Sequence, residues 1–111
     1  MDQITWQDFE KVDIRTGTIT SAELFPEAKK AAYKLTIDFG DLGVRKSSAQ
    51  VTSLYQPHEL IGRQVVAVIN FPVKQVANFI SECLVLGAVQ KDGSVVLLQT
   101  ERIMANGIKV S

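Results

Sequence analysis

From Tyr33 to Phe39 the apolar residues fall on every second position, with Tyr33, Leu35, Ile37 and Phe39 separated by Lys34, Thr36 and Asp38. A period of two places the first set on one face of a strand, and no helix can gather it on one side. Gly40-Asp41-Leu42-Gly43 supplies turn chemistry directly afterwards. Glycine tolerates the left-handed conformations that a tight reversal needs. Val44 to Val51 then reads as the returning strand. A half-buried β-hairpin therefore lies at the heart of the chain, and the other elements have to be built around it.

The remaining strand signals surround this hairpin. Val12 and Ile14 share one parity and Ile19 has the other, which a one-residue slip near Thr16-Gly17 would reconcile. Gln64–Asn70 is almost continuously apolar and reads as a central strand buried on both faces. Cys83–Gln90 and Val95–Thr100 flank Lys91-Asp92-Gly93-Ser94, whose Asp-Gly pair marks a hairpin. Helix signals are few. Thr52 or Ser53 could cap a segment that runs through Leu60, which Pro57 limits to a turn or two. Thr5 can cap another short helix, with Asp8 at its third position. Five strands with a helix between the third and fourth is the arrangement of the oligonucleotide/oligosaccharide-binding (OB) barrel. A small sandwich would also fit the strand count. The expected fold is all-β: a five-stranded OB-fold Greek-key barrel, a short helix between strands 3 and 4, and extra N- and C-terminal segments.

The 111 residues form no repeat and hold no linker-like tract, so residues 1–111 are expected to make a single domain. A chain of this length buries roughly two thirds of its unfolded surface, enough for a core without disulfides or metal. Its 46% hydrophobic content excludes disorder along the whole chain. The single cysteine, Cys83, forbids an internal disulfide and fits a reducing compartment. The opening Met1-Asp2-Gln3-Ile4-Thr5-Trp6 has neither the basic nor the apolar region of a secretory signal. The longest apolar stretches, near Val65–Ile69 and Cys83–Val89, fall far short of the about 20 residues that span a bilayer. A soluble, cytoplasmic protein without membrane insertion is expected.

No catalytic set can be assembled. His58 is the only histidine and follows Pro57 in a loop, where it reads as a plain surface side chain. One histidine and one cysteine cannot make an ordinary two-histidine or two-cysteine metal site. Cys83 opens an apolar strand, so a buried structural thiol is expected rather than a nucleophile. No nucleophile elbow, phosphate-cradling glycine loop or dinucleotide fingerprint occurs. The expectation is a non-enzyme with no catalytic residue, metal or cofactor.

Features suited to binding are better represented. Twelve basic residues balance twelve acidic ones, which argues against tight, indiscriminate nucleic-acid binding but leaves room for a local basic face. Lys29 and Lys30 fall between strands 1 and 2, Lys34 lies on the polar parity of strand 2, Arg45 and Lys46 open strand 3, and Lys74 follows strand 4. OB barrels bind with the face of strands 2 and 3 and with the 1–2 and 4–5 loops, where all six are expected. Scattered solvating lysines are the plain alternative. The segment Asn70–Glu82 reads as a long loop without periodicity. Phe71 and Phe79 could pack against a ligand there, or plug the barrel end or a subunit interface. Gln75 and Asn78 are amides with no evident packing duty. Trp6, Phe9, Ile103, Met104, Ile108 and Val110 give the two chain ends more apolar surface than a small barrel needs, which points to a homodimer.

Several blocks together carry a resemblance. Phe9-Glu-Lys-Val-Asp-Ile-Arg-Thr-Gly-Thr-Ile19, Ala32-Tyr-Lys-Leu-Thr-Ile-Asp-Phe-Gly40 and Arg45-Lys-Ser-Ser-Ala-Gln50 are three of them. Leu60-Ile-Gly-Arg-Gln-Val-Val-Ala-Val-Ile-Asn-Phe-Pro72 and Ser81-Glu-Cys-Leu-Val-Leu-Gly87 complete the set. The chain resembles the bacterial CsaA proteins, which belong to a wider tRNA-binding OB superfamily. That superfamily includes domains appended to methionyl-tRNA synthetases and to the β chain of bacterial phenylalanyl-tRNA synthetase. The resemblance implies a homodimeric, export-related chaperone that holds unfolded precursor polypeptides and works alongside the SecA translocation ATPase. It also implies a tRNA-binding ancestry. The tRNA-binding branch tends to have an Asn-Leu-Lys-Pro and a Ser-x-Gly-Met run, where this chain has Asn70-Phe71-Pro72-Val73-Lys74 and Ser81-Glu82-Cys83-Leu84.

Two functions follow as expectations. In polypeptide capture, Phe71, Lys74, Gln75, Asn78 and Phe79 would form the contact surface, doubled in a dimer. In tRNA binding, Lys29, Lys30, Lys34, Arg45, Lys46 and Lys74 would hold phosphates while Phe71 or Tyr33 stacks on bases. The single lysine and many apolar side chains of the 70–82 segment favour the first. A structural dimer with neither ligand is the third reading.

Overall fold

The computed structural model describes residues 1–111. Its spine is β1, Ile14–Leu24, an eleven-residue strand long enough to serve two partners. The first half of β1 pairs antiparallel with β4 (Gln64–Val68), from Ile14 opposite Val68 to Thr18 opposite Gln64. Its second half pairs with β2 (Tyr33–Asp38), which in turn pairs with β3 (Val44–Ala49). β7 (Leu84–Val85) adds to the far side of β4, giving the order β3-β2-β1-β4-β7. The sheet nearly closes between residues 81–83 and β3. Glu82 N–H donates to the Lys46 carbonyl at 2.7 Å, and the Ser47 hydroxyl donates to the Cys83 carbonyl at 2.9 Å. This is the expected five-stranded OB barrel.

The inward faces of β1, β2 and β4, with Phe39 and Leu60 beside them, fill it. Leu35, Ile37, Phe39, Ile19, Leu60, Val65 and Ala67 are fully buried. The Gly40–Leu42 turn is a single 3-10 turn, with Gly40 and Gly43 at φ +67° and +91°, as the sequence requires.

Thr16-Gly17 is not the site of the slip. The β1–β4 ladder runs unbroken through both residues, and the bulge falls at Thr20, between the pairs Ile19–Ile37 and Ser21–Thr36. The parity puzzle has another cause. A Cβ on Gly17 would lie 2.7 Å from Ile37 Cγ2 and 2.8 Å from the Phe39 ring, so Gly17 faces the core and makes room for Phe39. Thr16, pointing oppositely, is buried because the C-terminal segment covers it. Its hydroxyl donates to the Ala105 carbonyl and accepts from Ile108 N–H, each at 2.9 Å. Both faces of β1 are therefore covered at Thr16 and Gly17, while its far end, at Glu23 and Leu24, is exposed.

Three further expectations need correction. The helix between β3 and β4 is α2, Pro57–Leu60, and Gln56 precedes it instead of Thr52 or Ser53. Pro57 takes the first helical position, where a missing N–H costs nothing, and Glu59 reaches back to Gln56 N–H at 2.7 Å. Asn70 leaves the central strand, donating to the Lys11 carbonyl at 2.6 Å and accepting from Asp13 N–H at 3.0 Å. It thereby ties down α1 (Trp6–Glu10), whose Thr5–Asp8 capping box is formed as expected. Cys83–Gln90 is two short strands, β7 and β8 (Gly87–Val89). β8 turns away to pair with β9 (Val95–Leu97) across the Asp92-Gly93 turn. Ser94 donates to Asp92 through both Oγ and N–H and holds that carboxyl below its ordinary range. The C-terminal β10 (Lys109–Val110) lies on β1 beside Ile14 and Arg15.

Candidate functional site

The long loop of the sequence reading is a β-hairpin. β5 (Lys74–Val76) and β6 (Phe79–Ser81) join through a two-residue turn in which Ala77 adopts φ +52°. At three residues per strand, alternation is too short to register in a sequence pattern. Side-chain anchors hold the hairpin over the barrel. Ser48 N–H donates to Ser81 Oγ at 3.1 Å, and Lys46 N–H donates to Glu82 Oε1 at 3.0 Å. At the tip, Asn78 Nδ2 donates to Glu27 Oε2 at 3.2 Å, and the Phe79 ring meets Phe25 edge-on at 5.5 Å.

The hairpin and the β1–β2 loop are the two walls of a groove of about 730 Å³. Lys29 and Lys30 stand on one wall, and Lys74, Gln75 and Val76 on the other. Phe71 and Pro72 also line it, while Ser48, Gln50 and Ser81 supply hydroxyl and amide groups and Leu84 an apolar one. Phe71 is 54% exposed and Leu84 48% exposed, so the apolar groups are open to a ligand.

The sequence-predicted residues divide accordingly. Phe71, Lys29, Lys30, Lys74 and Gln75 line the groove together. Asn78 and Phe79 do not line it; they join its two walls. Lys34 stands 5.4 Å over the Phe25 ring, and Arg45 Nη1 donates to the Ile69 carbonyl at 2.8 Å, so both have structural engagements. Lys46 is exposed outside the groove. Tyr33 is buried and donates to the Tyr55 carbonyl at 2.7 Å. Sequence reasoning missed Glu27, Ser48, Gln50, Ser81 and Leu84. Only Ser48 and Gln50 left a signal, being on the outward parity that Lys46 begins.

Charge in the groove is one-sided. The ion pairs of the chain are Arg15–Asp13 at 2.6 Å and Arg102–Glu101 at 2.5 Å, so Lys29, Lys30 and Lys74 have no carboxylate partner. Glu27 is the one acidic liner, and Asn78 occupies one of its oxygens. No three His, Cys, Asp or Glu side chains come together. His58 is exposed on α2. No helix is long and apolar enough to cross a membrane.

Cys83 lies in the groove floor, 7% exposed. Burial pushes its thiol up from 9.0 to about 11, with Glu82 adding to the rise and Ser47 and Arg45 opposing it. Such a thiol carries about a hundredfold less thiolate at pH 8 than an unperturbed one. Iodoacetamide should therefore alkylate the folded chain about a hundredfold more slowly than the unfolded chain. Stability should hold up to pH 9 and fall between 9.0 and 11, because the unfolded thiol releases its proton first. Alkylation at equal rates in both states would contradict the burial.

A Greek-key barrel of this strand order, with its groove between the 1–2 and 4–5 connections, is an OB-fold domain. Residues 14–109 match the family described as a putative tRNA binding domain. The chain belongs to that family and, within it, to the CsaA proteins. The chaperone CsaA of Bacillus anthracis str. Ames has a TM-score of 0.95 at 53% identity, over 99% of this chain and 100% of that one. The CsaA chaperone protein of Picrophilus torridus gives 0.91 at 52% identity, over 98% and 100%. The methionine–tRNA ligase of Methanococcoides burtonii is 38% identical over 101 residues, 91% of this chain. The chain spans 15% of that ligase's length.

Proposed function

We propose that residues 1–111 act as one non-enzymatic unit, a cytoplasmic chaperone of CsaA type that holds unfolded precursor polypeptide in the groove during export. The observation that carries this reading is the composition of the groove. Exposed Phe71 and Leu84 stand beside the amides of Gln50 and Gln75. Amides donate and accept at once, so they pair with the main chain of many sequences, and an exposed ring adds apolar contact without demanding one partner. Whole-chain similarity to the two CsaA chaperones supports it. SecA is the proposed partner in export.

The test is the double replacement Phe71→Ser, Gln75→Ala. Both side chains are exposed, and the only bond lost is the exposed one from Gln75 Nε2 to the Ala77 carbonyl at 3.1 Å, so melting should change little. Losing the apolar contact should raise the amount of protein needed to suppress client aggregation about tenfold. Unaltered suppression by the folded double mutant would remove the groove from the client site.

A homodimer belongs to the same proposal, since two grooves on one particle raise the avidity of weak contacts. Trp6 is 78% exposed and Ile103 92%, with Met104 and Ile108 also exposed and Phe9 and Val110 half-buried. Sedimentation equilibrium at micromolar concentration should give twice the 12.2 kDa of one chain, and Trp6→Ala should shift it toward one. A monomeric wild-type mass would refute the dimer.

tRNA binding is the second reading, favoured by the three unpaired lysines around the groove and by the family. Their number is small for a tRNA site, which makes weak, salt-sensitive affinity the expectation.

A further inference from the structure

The free edge of β5 bears on how a client could be held. β5 pairs with β6 on one side and with no strand on the other. In a hairpin closed by a two-residue turn, the pair flanking the turn exchanges main-chain hydrogen bonds, and the next pair directs its N–H and C=O outward. Val76 and Phe79 flank the turn here, so the next pair is Gln75 with Ile80. The outward groups of Gln75 face the open edge, and neither has a main-chain partner elsewhere in the fold. Natural proteins blunt such edges with short strands, lysine, proline or bulges. β5 is only three residues long and carries Lys74, which limits pairing with other chains at large, but no proline or bulge blocks the outward groups of Gln75. Ser48, Lys46, Glu27 and Phe25 anchor the turn and the β6 side of the hairpin, through Ser81, Glu82, Asn78 and Phe79, and β5 is carried by its pairing with β6.

The second observation is charge. Lys29, Lys30 and Lys74 line the groove without carboxylate partners, and the one acidic liner, Glu27, is hydrogen-bonded to Asn78. An incoming chain therefore meets an electropositive cleft beside an unpaired strand edge.

We infer that the groove takes an extended, acidic polypeptide segment as an added strand on β5, its main chain bonded to Gln75 and its carboxylates facing Lys29, Lys30 and Lys74. The inference rests on the polypeptide-holding reading and specifies which segments are held. Strand addition takes its affinity from the main chain, so it tolerates many sequences provided they are extended. The lysines then select among them by charge, acting on encounter and on the rejection of basic segments.

Fluorescence anisotropy with the full chain and labelled peptides of about ten residues tests this. Three peptides alternate Val with Asp, Ser or Lys, and a fourth series carries one N-methyl group at each position of the Asp peptide in turn. At low ionic strength the Asp peptide should bind about tenfold tighter than the Lys peptide. That preference should shrink in Lys29→Gln, Lys30→Gln, Lys74→Gln. The N-methyl scan should show a period of two, with about tenfold loss at alternate positions. Gln75→Pro removes the outward N–H while leaving the bonds to β6, and should cause a similar loss. The scan needs no mutant and decides the matter if that variant does not fold. Peptides that bind with a flat scan, or with the Lys peptide equal or tighter, would overturn the inference while leaving polypeptide holding intact. If no peptide binds and tRNA does, the groove is a nucleic-acid site and both readings fall.

Discussion

Phe39→Ala should destabilise the barrel by about 3–5 kcal/mol, the cost of removing a fully enclosed aromatic ring. Phe39 has no exposed surface, and its ring rests on the bare Cα of Gly17, 2.8 Å from where a Cβ would be. Its N–H also donates to the Gly43 carbonyl at 3.0 Å, so the residue ends β2 and starts the turn at once. The backbone bond survives the substitution, but Gly17 has no side chain of its own to fill the hole left beside it. A chain of this size should lose more than about 10 °C in melting temperature. Urea unfolding should show the loss in the midpoint with little change in slope. Gly17→Val attacks the same contact from the other side by overpacking, at about 1–3 kcal/mol. A Phe39→Ala variant that melts with the wild type would show that this contact does not hold β1 against β2.

The affinity of the chain for tRNA should fall about fortyfold between about 50 and 200 mM salt, the loss expected if three phosphates are neutralised. Lys29, Lys30 and Lys74 are the three candidates, because they alone among the six basic residues considered line the groove. Lys34 and Arg45 are engaged with Phe25 and Ile69, and Lys46 lies outside it. Replacing the three by Gln should remove most of the salt dependence, whereas Arg45→Gln should act chiefly on stability. Filter binding at several salt concentrations reads both slopes. A wild-type affinity indifferent to salt would exclude a lysine-driven mode. A slope unchanged in the triple variant would place the phosphates elsewhere on the chain.

Alternation in Tyr33–Phe39, the glycines at 40 and 43 and the Asp92-Gly93 pair were enough to define an all-β chain with two hairpins from local chemistry. A sandwich fitted them as well as a barrel until the closure of residues 81–83 onto β3 decided it. Each of these signals acts within a few residues, so the amino-acid order carries it in full. Thr5 and Asp8 likewise define α1, because a capping box is complete within one helical turn. Glycine at 17 was visible, but its reason was not. A bulge and a close ring contact both call for a missing side chain, and only the approach of Phe39 from β2 separates them.

The groove shows the same division. Phe71, Gln75 and the lysines at 29, 30 and 74 could be placed by type and by position between strands. Asn78 and Phe79 have the same chemistry, yet they brace the walls, because Glu27 and Phe25 approach them from fifty-odd residues away in sequence. A side chain's role depends on what stands opposite it. Opposition across a nearly closed sheet is set by strand order and register, which no run of adjacent residues records. The sequence alone therefore determined the longer strands, α1 and the chemical stock of the site, but not the short β5–β6 hairpin or the break between β7 and β8. The tertiary structure decided which of those groups remain free to meet a ligand.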